Sequence, residues 1–447
     1  MRMKGKHTTS RLNKHDFLLF ALDDLLPALS NFITFRFKEP HSVKEMREAM
    51  RYMFTIYPRL RSVVEPTLFS YRLKILDDHD RRLEVLFNDA FRVQYDLRCD
   101  TAEFISYRRD LLNEPFSLQE GLPIKIRYLP DDPQPILFLA FHHMIADGRS
   151  WFHLENSLLR YLNGDKPPEN PLDSPNMLPA LVKKPYSTLP AQIYTSYRLF
   201  KKDIQKYKGQ SMITASSRPA DFFSPADAEF YILPFELARV KAKGKELDAG
   251  VNILLLAAFA RTISRGPGRD TGDAIGIAIP IDLRPYYDEK PPVFGNFISM
   301  FWVRIHRTYW DNPRAMIKEI KAQMYEYINR YKNKEMIVPN LIEKLLTLVG
   351  KKNYVRAARI ARKRGFLPMT CSYAAMGNID HINSSGTKAR ICETMSMVPH
   401  FALFMVTMSL EDRILTGLSY PEAEFTREEI NAFIQNYNLA LAELLAL

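Results

Sequence analysis

A mixed α/β protein built as two lobes is what this chain predicts, on three observations. Stretches of strand-like and helix-like apolar spacing alternate through both halves. No self-similarity recurs at solenoid or propeller periods. Between Gly164 and Pro190 stand seven prolines (Pro167, Pro168, Pro171, Pro175, Pro179, Pro185 and Pro190). That density sustains neither helix nor central strand and marks an extended crossover. With the crossover at about 164–190, the expected division is an N-terminal lobe over 1–180 and a C-terminal lobe over 181–447. A length of 447 residues equals about three average domains, or two large lobes.

Each element has a local reason. Residues 31–37 read as a strand. Ser42 is a fitting N-cap for a helix to Tyr57, since Val43, Met46, Met50 and Phe54 share one face and Pro58 stops it. Extended chain resumes at 60–64, and 71–76 with 83–87 read as a hairpin around the acidic turn 77–80. Strands at 123–128 and 134–141 flank the turn 130–133, and a helix over 150–162 follows. Beyond the crossover come a basic helix (196–208), a strand (230–233), a buried helix (252–263) and strands at 274–281 and 297–305. An amphipathic helix (313–331), a hairpin of 398–408 with 413–419, and a helix over 427–445 complete the chain.

Composition excludes whole classes. Hydrophobic residues make up 46% and charged residues 25%, which rules out a disordered, collagenous or fibrous chain. Lysine and arginine number 62 against 51 acidic residues, a formal net charge of +11 that favours acidic partners. Cys99, Cys371 and Cys392 are scattered and form no CxxC pair, so a reducing, cytoplasmic compartment is the default expectation. The apolar run 17–22 is too short for a signal-peptide core and ends on Asp23 and Asp24 without a cleavage site. Attachment to a membrane surface stays open.

The chemistry concentrates at 141–151, FHHMIADGRSW. Two histidines end an apolar strand, where loops of α/β proteins present reactive groups. A histidine there can take a proton from an alcohol or amine and return it. Adjacent strand residues point to opposite faces, so His142 and His143 cannot share a role. One faces the cavity and the other packs within the lobe. Asp147 can fix the loop through an arginine, and Gly148 leaves room for a substrate. A pair of structural histidines in a turn is the bland alternative. A metal site from His142, His143 and Asp147 is a third, disfavoured by the same alternation.

HHMIADG resembles the HHxxxDG motif of the coenzyme A-dependent acyltransferase superfamily, which includes condensation domains, wax ester synthase-like enzymes, plant alcohol acyltransferases and chloramphenicol acetyltransferase. Further pieces follow in order. Residues 252–261 (NILLLAAFAR) resemble a buried helix of wax synthase-like members, 280–284 (PIDLR) their proline-to-arginine strand end, and 295–299 (GNFIS) the GN element after it. Residues 371–380 (CSYAAMGNID) stand in the place of the SN-x-G loop but lack its SN pair, and 402–420 resemble the closing hairpin.

The resemblance implies two chloramphenicol-acetyltransferase-like lobes with a tunnel between them, open at both faces. It implies His143 as general base, with Asp147 turned away from the substrate and paired with Arg284. Asn296 and Ser372 are candidate oxyanion donors by position, and with Arg284 they form the expected substrate-binding set. No metal and no tightly bound cofactor is expected; an acyl-CoA or phosphopantetheine thioester is the co-substrate. Without GxSxG, and without a cysteine beside a histidine, direct transfer is favoured over a covalent acyl-enzyme. The leading function is acyl transfer from a CoA or acyl-carrier-protein thioester to a hydroxyl or amine. The alternatives are a non-catalytic condensation-like module that binds a carrier protein or lipid, and an amide-forming enzyme acting in trans.

The positive charge also has a place. Residues 344–379 contain no acidic residue, while Lys344, Lys351, Lys352, Arg356, Arg359, Arg362, Lys363 and Arg364 interleave with apolar residues. A solvated helix face, an anionic membrane surface, the phosphates of coenzyme A and an acidic carrier protein all fit. Nucleic acid does not: no zinc finger or RNP signature accompanies the charge, and Gly266, Gly268 and Gly272 lack dinucleotide-binding spacing.

Overall fold

The computed structural model describes residues 8–25, 30–68, 70–99, 101–170, 172–218, 224–363, 369–397 and 402–447. Two mixed sheets carry the architecture. The first orders its strands as Ile391–Met397, Ser30–Phe37, Ile136–His142, Ile124–Leu129 and Phe91–Val93. All its pairs are antiparallel except the last. Its central strand Ile136–His142 is buried at every position, as a strand covered on both faces must be. The second sheet runs Ile298–His306, Ala274–Asp282, Cys371–Asn378, Phe404–Leu410, Arg413–Pro421 and Ala226–Ile232. Cys371–Asn378 lies parallel to both neighbours. A small third sheet joins Thr8–Arg11, Tyr71–Ile75 and Ser62–Pro66.

Two hydrophobic cores accompany the sheets. One gathers the first sheet with helices Val43–Ile56 and Gly148–Leu162 and reaches residues of the second sheet such as Val406 and Leu415. The other surrounds the buried helix Val251–Ser264 and the closing helix Arg427–Leu445. The strand Ile391–Met397 leaves the second half of the chain to pair with Ser30–Phe37. A division at residue 180 therefore cuts through the first sheet, because one of its strands comes from the far end of the sequence.

Several expected elements form with small shifts. Ser42 and Glu45 make a reciprocal capping box at the start of Val43–Ile56. Helix Leu189–Lys206 starts earlier than the expected 196 because Pro190 occupies its first turn, where no amide donor is needed. The reading of 83–87 as a strand is corrected: Arg81–Ala90 is a helix. Asp80 accepts from the Arg82 amide as N-cap, and Leu83, Phe87 and Ala90 bury one helical face. The third-sheet partners of Tyr71–Ile75 are then Ser62–Pro66 and Thr8–Arg11. The run 17–22 lies in helix Lys14–Leu22, capped by Asn13 and Asp16. Within the expected hairpin, Phe404–Leu410 pairs with Arg413–Pro421, and 398–401 lie outside the described residues. Arg364 also lies outside them, as do the side chains of Arg362 and Lys363.

Candidate active site

The strand Ile136–His142 delivers the motif, and a single 3-10 turn, His143–Ile145, separates it from helix Gly148–Leu162. Asp147 caps that helix, accepting from the Ser150 amide at 2.9 Å. Trp151 in its first turn stacks on Phe141 with ring centroids 3.5 Å apart and meets Phe294 edge-on. Strand, turn and helix are thus fixed to the loop that carries Phe294.

The two histidines diverge. His142 is fully buried; its Nδ1 accepts from the Met144 amide at 3.1 Å. Its Nε2 lies 3.2 Å from Asp23 Oδ1. His142 is the histidine that packs within the lobe, and it ties the turn to the end of the first helix. His143 is only partly buried. Its Nδ1 lies 3.2 Å from the Ala146 carbonyl and 3.1 Å from Asn31 Nδ2, and Nε2 has no hydrogen-bond partner among the described residues. Burial lowers the imidazole below its ordinary pKa, outweighing the hydrogen bonds and the Asp147 charge that pull the other way. A neutral ring with one nitrogen held and the other uncommitted is able to accept a proton.

Three carbonyls of the turn and its flank are taken. Asn296 Nδ2 donates to the His143 and Met144 carbonyls at 2.9 and 2.7 Å, Arg59 to Met144 at 3.0 Å, and Asn31 to Ala146 at 3.0 Å. Asn296 also donates to Asp16 Oδ1 at 3.0 Å and accepts from Asn13 Nδ2 at 2.7 Å. Asp16 in turn pairs with Arg59 at 2.9 Å.

Asp147 is wholly buried in a nest of donors. Arg284 grips it bidentately, Nη1 to Oδ2 at 3.0 Å and Nη2 to Oδ1 at 3.1 Å. The Phe297 amide reaches Oδ2 at 2.7 Å, and the Ser150 hydroxyl reaches Oδ1 at 2.9 Å. Burial alone would raise this carboxyl; Arg284 and the amides outweigh it and hold it below the ordinary carboxylate range. Gly295 completes the joint, its carbonyl accepting from the Asp147 amide at 3.1 Å and its amide donating to the Ser150 hydroxyl oxygen at 3.0 Å. At φ +153°, a side chain there would also press on the Phe297 ring at 2.8 Å. The Asp173 carboxylate, from the crossover, holds the same loop by the Val293 and Phe294 amides.

The residues of the expected substrate-binding set are engaged within the protein. Arg284 directs its remaining donors to Asp282, Pro292, Val293 and Gly295. The Asn296 amide is occupied as above, and the buried Ser372 hydroxyl donates to the Ala278 carbonyl at 3.0 Å. Arg284 and Asn296 join the lobes. Gly148 leaves room for Met376, whose Cε would lie 2.6 Å from an added Cβ. Sequence reasoning missed Asn13, Asp16, Asn31, Arg59, Ser150 and Asp173. A capping pattern at 13–16 was the one local signal.

Two hollows flank these residues. One of about 550 Å³ is lined by Leu12, Asn13, Phe17, Leu181, Ile337 and Leu348, among others. The other, about 140 Å³, lies between the sheets beside Thr34, Phe104, Arg108, Phe138 and Phe230. His143 lines neither, so the tunnel expected between the lobes is not traced through them.

The family model "Condensation domain" matches residues 28–447. Among solved structures, the chain is similar to TRI3 trichothecene 15-O-acetyltransferase from Fusarium sporotrichioides, with TM-score 0.69 and 13% identity over 99% of this chain and 96% of that one. It is similar to the first condensation domain of the CDA synthetase, with TM-score 0.70 and 12% identity over 98% and 96%. A starter condensation domain of rhizomide synthetase RzmA in complex with C8-CoA gives TM-score 0.64 and 13% identity over 98% and 95%. A comparison with curated protein sequences found no match. At these identities the structures share the fold: the mixed sheets are those of condensation domains and of a trichothecene acetyltransferase. Matched over nearly its whole length, the chain belongs to the condensation domain family.

Proposed function

We propose that the chain is an acyltransferase. It would move an acyl group from a coenzyme A or carrier-protein thioester to a hydroxyl or amine, with His143 as general base and no covalent acyl-enzyme. The observation that carries this reading is the state of His143: a neutral ring held at Nδ1 and uncommitted at Nε2, on a turn whose His143 and Met144 carbonyls are bonded by Asn296. In the reading, Nδ1 carries the ring proton toward the Ala146 carbonyl and Nε2 carries the lone pair.

The chemistry balances without another reactant. Nε2 takes the acceptor's proton as its oxygen or nitrogen attacks the thioester carbonyl. The carbonyl electron pair moves to oxygen, and the tetrahedral oxyanion forms beside the new imidazolium. As the oxyanion collapses, the carbon–sulfur bond breaks and the imidazolium protonates the departing thiolate. Base catalysis of this kind contributes ~10²–10⁴-fold. Asp147 and Arg284 build the site without entering it, and the thioester is a co-substrate rather than a resident group. Purified protein supplied with acyl-CoA and acyl-carrier thioesters and a panel of alcohols and amines should release free thiol. His143→Ala should abolish that release and keep thioester binding. Absence of release with every thioester, or full turnover in His143→Ala, would reject the reading.

A further inference from the structure

The basic stretch singled out in the sequence forms helices Ile337–Leu348 and Lys351–Lys363, separated by a break at Gly350 (φ +80°). Around that break the chain turns aliphatic side chains outward. Leu345 is 60% exposed, Leu346 39%, Leu348 75% and Val349 46%. Leu345, Leu348 and Val349 are spaced to share a face as the first helix ends. On the second helix, Tyr354, Val355 and Ala358 pack inward on Phe17, Ala21 and Leu25, leaving Lys352, Arg356 and Arg359 exposed. That helix contains no acidic residue.

We propose that this face is a docking surface for an anionic lipid bilayer. The sign and placement of the charge fit acidic headgroups: Lys344 precedes the aliphatic cluster, and Lys352 and Arg356 follow it. The chemistry of the cluster fits acyl chains better than a protein partner. It consists of leucines and a valine with no tryptophan or tyrosine, and leucine and valine are under-represented at protein-interface hot spots. An amphipathic basic helix beside exposed leucines is the usual composition of a segment lying in the interfacial plane.

The face is also continuous with the larger hollow. Leu341, Lys344, Thr347 and Leu348 form one wall of the 550 Å³ space. An acyl chain moving between bilayer and hollow would stay out of water. This consequence rests on the acyl-transfer reading; the docking itself does not.

The test is co-sedimentation of the full chain with vesicles of phosphatidylcholine alone and of phosphatidylcholine mixed with phosphatidylglycerol. Binding to mixed vesicles should be about tenfold tighter or more, and should weaken as salt rises. Leu345→Ser with Leu348→Ser should weaken it about tenfold, and Lys352→Glu with Arg356→Glu should erase the preference for mixed vesicles. Both variants should melt with the wild type, since all four side chains are exposed. No sedimentation with mixed vesicles, or sedimentation unchanged in both variants, overturns the proposal. So does a dimer, or capture of an acidic acyl carrier protein, that depends on Leu345 and Leu348 while vesicles are ignored. His143→Ala should still bind vesicles, so failure of docking and failure of catalysis are read separately.

Discussion

Two buried carboxyl groups at one helix were handled in opposite ways. Asp147, the cap of helix Gly148–Leu162, receives Arg284 bidentately together with two backbone amides and a hydroxyl. Glu155, two turns on, is equally buried, and neither of its oxygens has an aligned hydrogen bond. Burial pushes the Glu155 carboxyl up to about 8; the Thr394 hydroxyl, near but not aligned, favours the anion only slightly. Asp147 is thus an anion that the protein is organised around, and Glu155 is a neutral acid at neutral pH. The difference separates a charge used to join two lobes from a polar group merely enclosed by them.

The largest effect should come from breaking the first case. Arg284→Met leaves Asp147 charged and buried without its cation, and should cost about 3–5 kcal/mol in unfolding free energy. Thermal or urea unfolding would measure it, with thiol release falling in parallel. Asp147→Ala should likewise impair folding and activity together. A variant that folds and binds normally but does not turn over would place Asp147 in the chemistry instead.

Neutralising the second carboxyl should act the other way. The unfolded Glu155 titrates near its ordinary value and the folded one at about 8. Its favourable contribution is therefore complete below the unfolded pKa and is lost as pH rises through 8. Glu155→Gln should gain stability relative to wild type across that window, on the order of a few kcal/mol at its top, with a constant gap above it. Melting curves at pH 4 to 9 test this; a gap independent of pH would show that the carboxyl is not enclosed as described.

Between these extremes stands His143. Its lowered pKa predicts that kcat/KM rises on an acid limb centred below the ordinary imidazole value and is flat through neutrality. Asn31→Asp sets a carboxylate against Nδ1, which should move that limb to higher pH by about 1 unit or more. A pH–rate profile decides it, and an unmoved limb would detach the limb from His143. The smallest effect belongs to Gly148→Ala. The added Cβ meets only the mobile end of Met376, so melting should change by less than about 1 kcal/mol.

What the sequence made legible was local or came with the motif. That His142 and His143 differ in role was legible, although His143 stands in the 3-10 turn and not on the strand, and the Asp147–Arg284 partnership entered through resemblance at 280–284. The rest depended on contacts with no local trace. Asn296 reaches Asp16 across 280 positions and the His143 carbonyl across 153. Arg59 and Asn31 carry no pattern of their own. Ser372 was placed by its loop, yet its hydroxyl bonds to the Ala278 carbonyl inside a sheet. Leu83 and Phe87 fit a strand or a helix until the Asp80 cap is seen to decide.

The strand Ile391–Met397 also bears on how the chain is made. Ser30–Phe37, its partner, leaves the ribosome early, but the strand that covers its open side arrives some 350 positions later. At ordinary elongation rates the nascent first sheet waits about 20–70 s with a bare hydrogen-bonding edge. Such an edge is a template for pairing with other chains. Synthesis, more than the finished fold, is where this protein is most exposed to aggregation, and a chain truncated before residue 391 should be recovered in inclusion bodies rather than in solution.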